Sequence, residues 1–194
     1  MHSIFLDSTS GLVIGLLDSN YSWLEYMSLD EKKPSEIIHF EIFNLLKKYN
    51  LKLFEMKCFI SNGPGSYTGM RLSEGLAQVF ELNKMDVYSF YHFNVPALSG
   101  VQQGFWATNA FKGQVFVYSW NGESSEKYLV NKDDYEVENE KIGFTLDTKD
   151  PFFSNLISTT KLIKDKSSEI FSKISTIKMR VNPYYFRSLD EEFR

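Results

Sequence analysis

Short runs of apolar and β-branched residues open the chain at positions 3 to 7, 11 to 17 and 21 to 27, with Ser, Gly, Asp and Asn between them. Runs of this length bounded by turn formers read as strands, so the opening predicts a three-strand meander. At Pro34 the period changes. Ile38, Ile42, Leu45 and Tyr49 recur at helical spacing, which predicts a helix over 34–49 with proline in its first turn. Residues 57 to 61 read as the next strand, 72 to 82 as a second helix, 86 to 90 as a further strand and 92 to 100 as a third helix. The order βββ-α-β-α-β-α is an α/β pattern built on a mixed sheet.

Beyond Gly100 the pattern becomes strand-rich. Residues 104–109 and 114–120 read as two strands joined across Phe111-Lys112-Gly113. The Asn-, Glu-, Lys- and Ser-rich stretch 121–141 reads as a solvated connection with one strand at 127–130, and 156–177 has mixed spacing that assigns to no element. The division this suggests is an N-terminal lobe over 1–100 and a smaller C-terminal lobe over 101–194.

Both long helices are apolar over more of their circumference than the stripe of about 100° that a surface helix needs. In the first, Leu46, His39, Phe43 and Phe40 extend the arc begun by Ile38 and Ile42. In the second, Leu72, Leu76, Val79 and Phe80 are expected to face inward, with the neighbouring Met70, Ser73 and Ala77 small enough to admit another helix. Either the C-terminal lobe covers these second faces or a partner protein does. His39, Phe40, Phe43, Met70, Ser73 and Ala77 are the candidate interface.

Composition narrows the function classes. The net charge is −4 and the pI about 5.5, which argues against broad electrostatic gripping of nucleic acid. Aromatics make up 16% of residues, so a ring-rich core or interface is expected. One cysteine, Cys58, excludes an internal disulfide and fits a reduced, cytoplasmic setting. Met1-His2-Ser3 lacks the basic flank of a signal peptide, and no apolar run is long enough to span a membrane.

Candidate chemistry concentrates at 62–71, Asn-Gly-Pro-Gly-Ser-Tyr-Thr-Gly-Met-Arg, between a strand and a helix. That layout can aim backbone N–H groups at an anion, which makes Gly63, Gly65, Ser66, Thr68 and Gly69 candidate anion or nucleotide contacts. The same glycines fit a tight connection with Thr68 capping the helix. The run is neither a P-loop nor G-x-G-x-x-G. Asp7, closing the first strand, stands where a carboxylate could hold Mg²⁺ or activate water, or where an Asx residue could begin a turn. His2, His39 and His92 have no metal-ligand spacing, and Ser66 is not in a nucleophile elbow.

Gly63-Pro64-Gly65-Ser66-Tyr67-Thr68-Gly69-Met70-Arg71 resembles the G-P-G-S-[FY]-T-G-[LIV]-R signature of the TsaB (YeaZ) family. Ile4-Phe5-Leu6-Asp7-Ser8-Thr9 is similar to that family's opening strand. Asn109 to Phe116 resembles its "DAR…EVY" hairpin, with Asn109 in place of the aspartate, and Asn182 to Arg187 resembles its closing P-x-Y-L-R. His39 stands where the family has a His-Thr or His-Ser pair, but Phe40 follows. The resemblance is dense over 3–120 and thin over 121–180. It implies a degenerate actin-like ATPase fold of two lobes and a non-catalytic role in making threonylcarbamoyladenosine in tRNA. It also implies a TsaD-like catalytic partner met through the two helices, a TsaE-like ATPase on the assembled pair, and a possible homodimer when alone. tRNA would be reached only through the complex, and no cofactor is required beyond possible residual nucleotide binding. The rival reading is a free-standing nucleotide-dependent phosphotransferase using Asp7 and the glycine loop.

Overall fold

The computed structural model describes residues 1–29, 33–122, 124–136 and 141–186. In chain order the elements are β1 (Ser3–Asp7), β2 (Leu12–Leu17), β3 (Trp23–Leu29), α1 (Pro34–Lys48), β4 (Lys57–Ser61), α2 (Tyr67–Leu82) and β5 (Asp86–Phe90). They continue with α3 (Val95–Leu98), β6 (Gln103–Asn109), β7 (Gln114–Asn121), β8 (Ser124–Asn131), β9 (Gly143–Thr145), β10 (Ile157–Ser158), α4 (Thr159–Asp165) and α5 (Ser167–Thr176). The chain forms two units, 1–91 with 167–185, and 92–166 with 186–194. The division falls earlier than residue 100, and the segment 167–185 returns to the first unit instead of staying in a C-terminal lobe.

In the first unit the strand order is β3-β2-β1-β4-β5. The meander pairs antiparallel, while β1, β4 and β5 run parallel. Alternation sorts the side chains into two layers. Ile4, Leu6, Ile14, Cys58 and Ile60 meet Ile38, Ile42 and Leu45 of α1 and Leu76, Ala77 and Phe80 of α2. On the other face, Phe5 and Phe59 pack on Phe171 of α5, with ring centroids 5.3 and 4.7 Å away. Phe90 and Trp23 complete that aromatic layer at 6.2 and 5.7 Å from Phe171. Phe171 is fully buried, and truncating such a ring to alanine costs about 3–5 kcal/mol.

The second unit is a sheet of order β10-β9-β6-β7-β8. Phe105, Ala107, Val115 and Val117 form one buried face with Tyr135 and Phe153. Within 121–141 the strand expected at 127–130 is present and longer, as β8, a full eight-residue edge strand paired along β7. Its pairing with β7 overrides a local composition of Ser, Glu, Lys and Asn that reads as solvated loop. Residues 123 and 137–140 of that stretch lie outside the described residues. The third helix is shorter than expected, a 3₁₀ turn over His92–Asn94 followed by α3. Among the described residues no helix is long and apolar enough to cross a membrane.

Candidate functional site

The glycine loop leaves β4 at Asn62 and enters α2 at Tyr67, earlier than the spacing of apolar residues predicts. Its cap is Ser66 rather than Thr68: the Ser66 Oγ accepts from the Gly69 N–H at 3.2 Å. Gly63 has φ of +102°, a left-handed conformation that side chains rarely adopt. Gly69 needs its hydrogen for a different reason, since a Cβ there would overlap the Ser8 carbonyl oxygen.

That close approach presses the loop onto the turn between β1 and β2. The Ser66 N–H donates to the Thr9 carbonyl at 2.8 Å. The Ser8 hydroxyl donates to the Gly69 carbonyl at 2.7 Å and lies 2.6 Å from the Ser73 hydroxyl. Asp7 turns inward: its Oδ1 accepts from the Thr9 N–H at 2.9 Å and from the Thr9 hydroxyl at 2.6 Å. This is the Asx-turn role of the residue, with a carboxylate oxygen engaged by its own hairpin.

Outside this seam, the N-terminal turns of α1 and α2 border a cavity of about 320 Å³. Ser8, Lys33, Ser35, Ser66, Thr68, Gly69 and Leu72 are among its walls. Ser66, Thr68 and Gly69 were expected contacts. Gly63, Gly65 and Asp7 stand away from this lining, and Ser8, Lys33 and Ser35 join it. Hydroxyls, a lysine and two helix N-termini are chemistry that suits an anion, although the Lys33 ammonium is also paired with Glu36 at 2.8 Å. No sequence motif marks Lys33 or Ser35; only the packing of the two helices side by side on one sheet face brings them in.

The six expected interface residues divide. His39, Phe40 and Phe43 are exposed, the two rings by 63% and 61%. Met70, Ser73 and Ala77 are instead buried beneath α2, a correction with a plain cause. Their small or flexible side chains let α2 lie close on β1 and the Ser8 turn, so the narrow arc Met70-Ser73-Ala77-Phe80 became the inner face. Val79, expected in the core, is 49% exposed, and Leu82 is 83% exposed. Gly75 shares this outer arc, with open space where a Cβ would stand.

Other candidates have structural surroundings. Burial pushes the Cys58 thiol far above its ordinary range, which leaves an inert buried thiol. His92 is buried, with Nδ1 3.2 Å from the Thr159 hydroxyl. Asn109 donates through Nδ2 to Asp150 at 2.8 Å and accepts from the Lys132 ammonium at 3.1 Å. Arg187, which ends the closing motif, lies outside the described residues. Among the described residues no three His, Cys, Asp or Glu side chains gather as a metal site.

Comparison with solved structures places the fold. The chain is similar to an uncharacterized Pseudomonas aeruginosa protein described as similar to peptidase YEAZ: TM-score 0.68, 13% identity, 96% of this chain and 99% of that one covered. It is also similar to YeaZ from Pseudomonas aeruginosa: TM-score 0.63, 13% identity, 93% and 98% covered. No family model matches the sequence, and no curated protein does. The fold is therefore that of the YeaZ structures, as the glycine signature leads one to expect.

Proposed function

We propose that this chain is a TsaB-like subunit with no catalytic chemistry of its own. Its role is to support a TsaD-like transferase that places the threonylcarbamoyl group on adenosine 37 of tRNA, with a TsaE-like ATPase acting on the assembled pair. The observation that carries the reading is the outward apolar surface of α1 and α2 in a YeaZ-type fold. Phe40 and Phe43 on one helix, and Val79 and Leu82 on the other, are large side chains left in water. Large apolar side chains exposed on the outer face of a helix favour a surface on which another protein sits. The inward-turned Asp7 supports a scaffold over an enzyme. A net charge of −4 supports leaving the RNA to the partner.

The test is co-purification with a TsaD-like protein, for the parent and for Phe43→Glu. The parent is expected to elute as a mixed complex and the variant as a folded single subunit. Phosphate release from ATP by the isolated chain with Mg²⁺, abolished by Asp7→Ala, would overturn the proposal in favour of the phosphotransferase. The cavity at the two helix N-termini favours a milder second reading, in which an anion or nucleotide binds there without turnover. Calorimetric titration with ATP and with inorganic phosphate tests that reading independently of complex formation.

A further inference from the structure

The segment after α5 leaves its helix through Lys178, whose φ of 50° ends the last turn, with the Met179 N–H donating to the Ile174 carbonyl at 3.0 Å. It then runs along β5, the outer strand of the first unit's sheet. The Ser89 N–H, which points away from β4, donates to the Met179 carbonyl at 2.9 Å. The Ser89 hydroxyl engages both backbone polar groups of Val181, accepting from its N–H at 2.7 Å and donating to its carbonyl at 2.8 Å. Further on, the Tyr184 N–H donates to the Asn62 carbonyl at 2.9 Å, and Tyr185 rests on Tyr67 with centroids 5.1 Å apart.

Arg180 joins this segment to α2. Its guanidinium grips both Glu74 oxygens, at 2.7 and 3.0 Å, and both Glu81 oxygens, at 2.8 and 3.4 Å. Two-pronged arginine–carboxylate pairs are among the stronger polar contacts a protein makes. Burial alone would raise the Glu74 pKa, but hydrogen bonds from Arg180 and Asn62 hold it below the ordinary carboxylate value. No residue from Lys178 to Tyr185 is buried, whereas Ser89, which the segment covers, is fully so. The segment is held by polar bonds and a few half-exposed rings, the composition of a region that opens at low cost.

We infer that Met179–Tyr185 is a strap that detaches from the edge of the sheet as one piece while the rest of the first unit stays folded, with Arg180 as its latch. Closed, it pairs the open edge of β5 and fixes Asn62, the first residue of the glycine loop. Open, it bares an edge strand together with the Glu74 and Glu81 carboxylates.

The experiment is residue-resolved amide hydrogen exchange on the full chain, for the parent, Arg180→Met and Ser89→Ala. In Arg180→Met the Ser89, Val181 and Tyr184 amides are expected to exchange together and faster by roughly tenfold or more, with the Ile4 and Phe59 amides unchanged. Arg180→Lys, which keeps charge but loses the fork, is expected to fall between. Ser89→Ala removes the two Val181 bonds and one Arg180 contact, from Nη1 at 3.1 Å, but keeps the Arg180–Glu74 fork, so it is expected to speed the same amides by less than Arg180→Met. If the core amides accelerate in step with the strap, opening is global unfolding and the strap is not a separate device. If the strap amides keep the parent's rates in Arg180→Met, Arg180 is not the latch.

Discussion

Helix α2 has two faces that composition hardly distinguishes. Met70, Ser73, Ala77 and Phe80 form the arc pressed on the sheet; Gly75, Val79 and Leu82 form the arc left in water. What separates them is distance to the backbone below. The inner arc puts a glycine, a serine and an alanine where β1 and its turn come nearest, and Gly69 meets the Ser8 carbonyl directly. On the outer arc Val79 and Leu82 carry branched side chains too bulky for such contact. Apolar character alone therefore does not choose the buried side of a helix that is apolar on both. Side-chain size against the approach of the sheet chooses it.

Matched charges on the two arcs break this comparison most severely. Ala77→Glu puts a carboxylate into the fully buried layer among Leu76, Phe80 and Ile60 and is expected to cost about 3–5 kcal/mol, enough to unfold a marginal domain. Val79→Glu, only two positions away, is expected to leave thermal unfolding within about 0.5 kcal/mol of the parent and to abolish partner binding. If thermal melts rank the two variants in the opposite order, the inner and outer assignments are exchanged. A smaller effect isolates close approach from polarity. Gly69→Ala adds one methyl against the Ser8 carbonyl, which must shift, and is expected to destabilise by about 1–3 kcal/mol in urea. Gly75→Ala, with open space above it, is expected to stabilise by up to about 1 kcal/mol. Smallest is Ser66→Ala, which removes the side-chain cap of α2 and is expected to cost about 1 kcal/mol without altering either face.

Much of the first unit was legible because its periods are clean. The meander, α1, β4 and β5 all stand where alternation or 3.6-residue spacing puts them. The nine residues from Gly63 to Arg71 also lead to the right fold. Legibility failed where long-range partners decide. Two apolar arcs on α2 give no local ground for preferring one, and Val79, which spacing expects inside, is on the outer one. Serine at position 89 looks neutral in sequence; its role depends on a segment about ninety residues further along. Residues 156–177 mix a two-residue strand and α4, which belong to the second unit, with α5, which belongs to the first, so no single period runs through them.

Helix α5 also constrains the order of events on the ribosome. The sheet it covers is finished in sequence at Phe90, yet Phe171 arrives only after the whole strand-rich unit has been made. At elongation rates of about 5–20 residues per second, the interval from residue 91 to residue 167 lasts roughly 4–15 seconds. Through that interval Phe5, Phe59 and Phe90 form a bare aromatic surface on a nascent chain. A helper that shields exposed rings during synthesis would find its substrate there, and a slower translation of 92–166 would lengthen its occupancy.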